Sequence, residues 1–138
     1  MDPVSIIGLA ASVNQLAATA KSTFSVLFQY YGDFRDAPKR SRELRQELGT
    51  ICDLLDSLDD GLTSQSTNSS FTIPASLNLA IEEFQTMLEN IKPRVKESQT
   101  KGVRRLKWPF TKDENDRYLS RMERYKATIN VALNIKSA

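Results

Sequence analysis

SRELRQELGTICDLLDSLDDGL, residues 41–62, decides the fold class of this chain. Within it Leu44, Leu48, Ile51, Leu55, Leu58 and Leu62 recur at alternating steps of four and three. That spacing puts all six on one face of an α-helix and is incompatible with the two-residue period of a strand. Ala37-Pro38 marks the start of this helix and Asp60-Gly61 its stop signal. Cys52 sits beside the stripe and reads as a small buried hydrophobe, with a reactive thiol as the alternative.

The same rhythm runs through the rest of the chain. Asp2-Pro3 reads as an N-cap followed by a first-turn proline. Ile6, Ala10, Val13, Ala17, Ala20, Phe24, Leu27, Tyr31 and Phe34 then form a long stripe, with a break near Gly32-Asp33. Ile7, Leu9, Leu16, Val26 and Phe28 lie off that stripe, so the first helix is apolar over more than one face. Residues 63–72 read as a polar loop, in which Asn68-Ser69-Ser70 is a chance match to a glycosylation acceptor.

Pro74 opens a third helix with Leu77, Ile81, Phe84, Leu88, Ile91 and Val95 on one side, and Pro93 is expected to kink or end it. Thr111 and Glu114 form a Thr-x-x-Glu capping box ahead of a fourth helix, whose stripe is Tyr118, Met122, Tyr125, Ile129 and Leu133. The expected fold is all-α: one domain over residues 1–138, an antiparallel four-helix bundle with a long N-terminal helix. A short or kinked extra helix near 93–107 is allowed.

Composition agrees. A chain of 138 residues with 40% hydrophobic residues suits one compact core, and five Gly with five Pro are few for a turn-rich β fold. The stretch Pro3 to Ala20 is uncharged, and Ala18-Thr19-Ala20 has the small-x-small look of a signal-peptidase site. The only charge ahead of it is the acid Asp2, and Asn14 and Gln15 interrupt the apolar run, which argues against both a signal peptide and a transmembrane helix.

Catalytic and metal-binding constellations fail one by one. There is no His and a single Cys, so no Ser-His-Asp or Cys-His arrangement, internal disulfide or Cys/His metal site is available. No Gly-rich phosphate loop or EF-hand spacing occurs. Glu82-Glu83 and Asp59-Asp60 are neighbours that diverge on a helix, and read as solvated faces. The chain reads as a non-enzyme without cofactors.

Charge is the informative pattern. Between Gln46 and Ile91 there is no Lys or Arg, while Glu47, Asp53, Asp56, Asp59, Asp60, Glu82, Glu83 and Glu89 are all acidic. Flanking this block are two basic clusters: Arg35, Lys39, Arg40, Arg42 and Arg45, then Lys92, Arg94, Lys96, Lys101, Arg104, Arg105 and Lys107. If helices two and three run antiparallel, the start of one lies beside the end of the other, and both clusters share one pole. Such a patch suits anionic lipid, at about 1 kcal/mol per basic residue, or an acidic partner protein. Trp108 and Phe110 could stack on bases, but no nucleic-acid-binding signature accompanies them.

Two segments carry a family resemblance. Arg105-Leu106-Lys107-Trp108-Pro109-Phe110, with the charged helix after it and Ile129-Asn130-Val131-Ala132-Leu133, resembles the C-terminal signature of a fungal domain at the N-terminus of NOD-like (STAND) receptors. The opening Met1-Asp2-Pro3-Val4-Ser5-Ile6-Ile7-Gly8-Leu9-Ala10 is similar to the start of the same domain. These domains are grouped with HeLo-like cell-death inducers, including those of heterokaryon incompatibility and fungal innate immunity. The resemblance implies a domain that is cytoplasmic at rest, receives its signal from downstream receptor domains in the same chain, self-associates, and permeabilises the plasma membrane in programmed cell death.

On that reading Met1 to about Ala20 is the membrane-active segment, with Val4, Ile6, Ile7, Leu9, Val13 and Leu16 as its apolar contacts. Gly8-x-x-x-Ser12 would permit close helix approach. Trp108-Pro109-Phe110 reads as a structural turn that fixes the approach to helix four. The alternative function is an adaptor that passes the signal on through protein contacts alone.

Overall fold

The computed structural model describes residues 3–33, 39–65, 75–100 and 108–137. Four α-helices follow one another: α1 Pro3–Asp33, α2 Lys39–Gln65, α3 Ala75–Thr100 and α4 Lys112–Ser137. Among the described residues there is no strand.

Side-chain pairs set the helix directions. Lys21 meets Asp56, and Phe28 meets Arg45, so α1 and α2 are antiparallel. Phe84 stacks on Tyr125 and Arg94 reaches Glu114, so α3 and α4 are antiparallel too. Asn115 reaches Arg40 and Lys126 reaches Glu47, which makes α2 and α4 parallel. The chain therefore runs up, down, up, down, yet the corners of the square follow the order α1, α2, α4, α3. α2 and α3 sit on opposite corners without direct backbone contact, as do α1 and α4. The bundle is two antiparallel hairpins laid side by side.

Every apolar residue of the two central stripes is buried: Leu44 to Leu62 on α2 and Leu77 to Val95 on α3. One hydrophobic cluster joins all four helices. Each fully buried Leu, Ile or Phe contributes roughly 1.5–3 kcal/mol relative to exposure.

Several helix limits differ from the sequence reading. α2 runs on through Asp60-Gly61 to Gln65, taking three residues from the expected loop. Leu62 is buried one residue past the glycine, and the core contact outweighs the stop signal. α3 continues through Pro93 to Thr100. Ile91 and Val95 are fully buried on either side of this exposed proline and hold the helix in place. An extra helix at 101–107 and the acceptor match at Asn68 lie outside the described residues.

α1 is rotated relative to the expected stripe. Leu9 and Leu16, assigned off it, are buried with Val13, Ala20, Thr23 and Leu27, whereas Ala10 and Phe24 are only partly covered. Thr23 satisfies its buried hydroxyl by donating to the Thr19 carbonyl at 2.8 Å, so a threonine can occupy a core position.

Candidate functional site: the basic pole and the first helix

Helix directions bring the end of α1, the start of α2, the end of α3 and the start of α4 to one pole. Lys39, Arg40, Arg42 and Arg45 on α2 and Lys92, Arg94 and Lys96 on α3 gather there. Arg35, Lys101, Arg104, Arg105 and Lys107 lie outside the described residues. The two clusters share a pole but are not side by side, contrary to the sequence expectation. Because α2 and α3 are diagonal, the first turn of α4 stands between them, and it carries Asp113 and Glu114. Acids at a helix N-terminus are favoured by the helix dipole, and here they also divide the basic surface.

Some of these cations are committed inside the molecule. Lys39 pairs with Glu43 at 3.7 Å, and Arg45 lies 5.6 Å from the centre of the Phe28 ring. Arg94 is the most engaged. Its Nη1 donates to Glu114 Oε2 at 2.6 Å, its Nη2 donates to the Pro109 carbonyl at 2.8 Å, and its guanidinium lies 4.5 Å from the Phe110 ring centre. Arg40, Arg42 and Lys96 are exposed and form the open part of the pole.

Arg94 belongs to a knot around the Trp108-Pro109-Phe110 turn. Phe110 is buried and meets Trp108 and Tyr118 edge-on, with ring centres 5.3 and 5.1 Å away. Trp108 Nε1 donates to Asn115 Oδ1 at 3.0 Å, and Asn115 Nδ2 donates to the Arg40 carbonyl at 3.4 Å. The capping box is present in full: Thr111 N donates to Glu114 Oε1 and Glu114 N donates to Thr111 Oγ1, each at 3.1 Å. The hydrogen bonds from Arg94 and then from the Thr111 amide hold the Glu114 carboxyl down at about 2. The knot ties α3, the entry to α4 and the first turn of α2 together. It performs the structural role read for the Trp-Pro-Phe turn. Asn115, fully buried, was missed in the sequence; its one signal is that it falls three residues before Tyr118, on the α4 stripe.

α1 separates into two faces. Leu9, Val13 and Leu16 are core residues. Ile7 is 61% exposed, and the side chains of Val4 and Ile6 lie outside those described. The six proposed apolar contacts therefore do not share one open surface. Gly8, Ala11, Ser12, Asn14, Gln15 and Ala18 are the exposed positions that follow Ile7, a solvent face of small and neutral residues. Polar links flank it: Asn14 Nδ2 donates to Asp59 at 3.2 Å, Gln85 Nε2 donates to Thr19 Oγ1 at 3.1 Å, and Lys21 pairs with Asp56 at 2.9 Å. Among the described residues no helix is long and apolar enough to cross a membrane, and no group of His, Cys, Asp or Glu could hold a metal ion.

Comparison with known families matches residues 1–137 to the family described as pigment biosynthesis cluster protein PigL N-terminal. The chain belongs to the PigL N-terminal family. The match takes in all four helices of the bundle, so the basic pole, the knot and α1 all fall within the PigL N-terminal domain. No curated protein and no solved structure matches the chain.

Proposed function

We propose that this PigL N-terminal domain is the N-terminal effector of a larger signalling receptor, which on oligomerisation acts at the plasma membrane and permeabilises it. One observation carries the reading. The solvent face of α1 from Gly8 to Ala18 has no charged side chain, although it lies on the surface of a resting bundle. Surface helices place charged residues opposite their core stripe. A face of Gly, Ala and Ser with two amides instead suits a second packing partner, either copies of the same helix or the boundary of a lipid layer. The exposed Arg40, Arg42 and Lys96 supply attraction to anionic lipid. The family's name denotes an N-terminal portion, which fits a module within a longer chain.

No described helix can span a bilayer alone, so α1 acts as an assembled or interfacial element. Engaging its buried face would require Leu9, Val13 and Leu16 to leave the core, a cost that oligomerisation has to offset. The test is dye release from phosphatidylserine-containing vesicles, using the chain alone and fused to a tetramerising tag. Tagged chain should release dye and Ile7→Glu should abolish the release, since a charge in an inserting helix costs about 2.5–3.5 kcal/mol. Absence of both leakage and vesicle binding in every oligomeric state refutes the reading. The adaptor reading is favoured by the division of the basic pole around α4, a pattern that fits a shaped acidic protein surface more closely than a uniform lipid sheet.

A further inference from the structure

On the side of the bundle opposite α1 and α2, a groove of about 530 Å³ runs between α3 and α4, and a hollow of about 160 Å³ continues it past Ser76 and Thr128. Tyr125 is its buried floor. The Phe84–Tyr125 stack and the Arg94–Glu114 pair set the level of one wall against the other. By that register, and to within a turn, Asn90 stands across from Arg121, Glu83 across from Arg124 and Leu79 across from Val131. Val131 follows Arg124 and Thr128 on the same face of α4. Leu79 is 58% and Val131 53% exposed, so they do not cover one another. Glu82, beside Glu83, is the remaining charged residue of the groove. Among the described residues no ion pair crosses the groove. The Glu83 carboxylate lies instead near the Tyr125 hydroxyl, whose pKa is raised by burial and next by that carboxylate.

We infer that the α3/α4 groove is a two-fold docking surface for a second copy of the same chain. Complementarity at each level selects that occupant. It has to bring cations and an apolar side chain over α3, and acceptors and an apolar side chain over α4, in the same order and at the same spacing. A second copy turned about an axis along the groove, parallel to the helices, meets every one of these demands, because the turn keeps each residue at its level and exchanges the walls. Glu83 of each copy then faces Arg124 of the other, Asn90 faces Arg121, and Leu79 lies on Val131. Facing helices run antiparallel, as α3 and α4 do within the chain. The contact with Tyr125 occupies one oxygen of Glu83 and leaves the other for a guanidinium. A ligand of single charge, whether an acidic peptide or an anionic lipid surface, matches α4 and is repelled by α3. The α1/α2 side stays uncovered, so the pairing neither requires nor implies membrane binding.

Sedimentation of the chain over a wide concentration range tests the pairing. A dimer should form reversibly and be lost in Leu79→Glu, a substitution at an exposed position whose melting is checked separately. Glu83→Arg and Arg124→Glu should each weaken it roughly tenfold or more, since each replaces two attractions by two repulsions. The double variant restores both pairs with reversed sign and should recover most of the affinity. Cross-linking reads the register independently of these variants. Leu79→Cys chain mixed with Val131→Cys chain should give a disulfide-linked dimer under mild oxidation. Leu79→Cys alone should not, because the two α3 helices are diagonal across the interface; the native Cys52 is buried in both. A chain that stays monomeric at all concentrations, a dimer indifferent to Leu79→Glu, failure of the charge swap, or equal cross-linking in the mixture and in Leu79→Cys alone would each overturn the inference. Dimer without dye release leaves it intact and counts against the membrane reading; dye release without dimer does the reverse.

Discussion

Arg94 and Glu114 close the bundle at its basic pole: Nη1 and Oε2 are 2.6 Å apart, joining two residues twenty positions apart in the chain. The same guanidinium covers Phe110 and donates to the Pro109 carbonyl. The entry to α4 is thereby fixed by one side chain from α3.

Arg94→Ala should destabilise the fold by about 1–2 kcal/mol, from the lost cation–π contact and the unpaired carbonyl. Arg94→Lys should recover only part of this, because an ammonium cannot present two parallel donors and a flat face together. Urea titration followed by the fluorescence of Trp108, the sole tryptophan, measures both.

Acid should weaken the same junction. The folded-state pKa of Glu114 is depressed to about 2 from an ordinary 4.5, first by the Arg94 hydrogen bond and next by the Thr111 amide. Its contribution is complete above the unfolded value and fades as pH falls from about 4.5 to about 2. Thermal melts across that window should show Glu114→Gln with a shallower acid decline than the parent. An identical pH profile would mean that the pair is not linked to folding.

Two helical glycines should respond in opposite ways to alanine. A Cβ at Gly8 meets nothing within 4 Å, so Gly8→Ala should stabilise by about 0.5–1 kcal/mol through reduced backbone entropy. At Gly49 a Cβ comes within 3.1 Å of Phe24 Cε2, and that ring has to move. Gly49→Ala should gain nothing or lose stability. Chemical denaturation of the pair is a direct comparison.

α1 offers a similar contrast between core and surface. Leu16 is fully buried, and Leu16→Ala should cost about 2–5 kcal/mol. Ile7→Glu should stay within about 0.5 kcal/mol of the parent, since its side chain is largely in water. Calorimetric melting distinguishes them, and it establishes Ile7→Glu as a variant that leaves the fold intact.

Cys52 should be inert until the bundle opens. Burial, and then the nearby Asp53 and Asp56, push its thiol up to about 11, which leaves almost no thiolate at neutral pH. Its rate of labelling by a thiol reagent should follow global unfolding, and should rise in Leu16→Ala in step with the loss of stability.

The helices themselves were legible because each one's apolar spacing is local. Leu44 to Leu62 and Leu77 to Val95 are buried as their four-three rhythm required, and Thr111-x-x-Glu114 caps α4 as its pattern required. A period of 3.6 residues and a capping box are written within a few turns of chain, so composition and spacing suffice to specify them.

Three features were decided only by the tertiary structure. Which face of α1 is buried could not be settled while apolar residues ring the helix; packing between α2 and α3 selected Leu9 and Leu16 over Ala10. The extent of α2 beyond Gly61 and of α3 beyond Pro93 depended on Leu62 and Val95 finding core partners, which outweighed the local helix-breaking preference. Corner order was the third. Charge along the chain assigns both basic clusters to one pole, but neither charge nor periodicity specifies which helices are diagonal. Contacts between helices far apart in sequence made that choice and placed the acids of α4 between the two clusters.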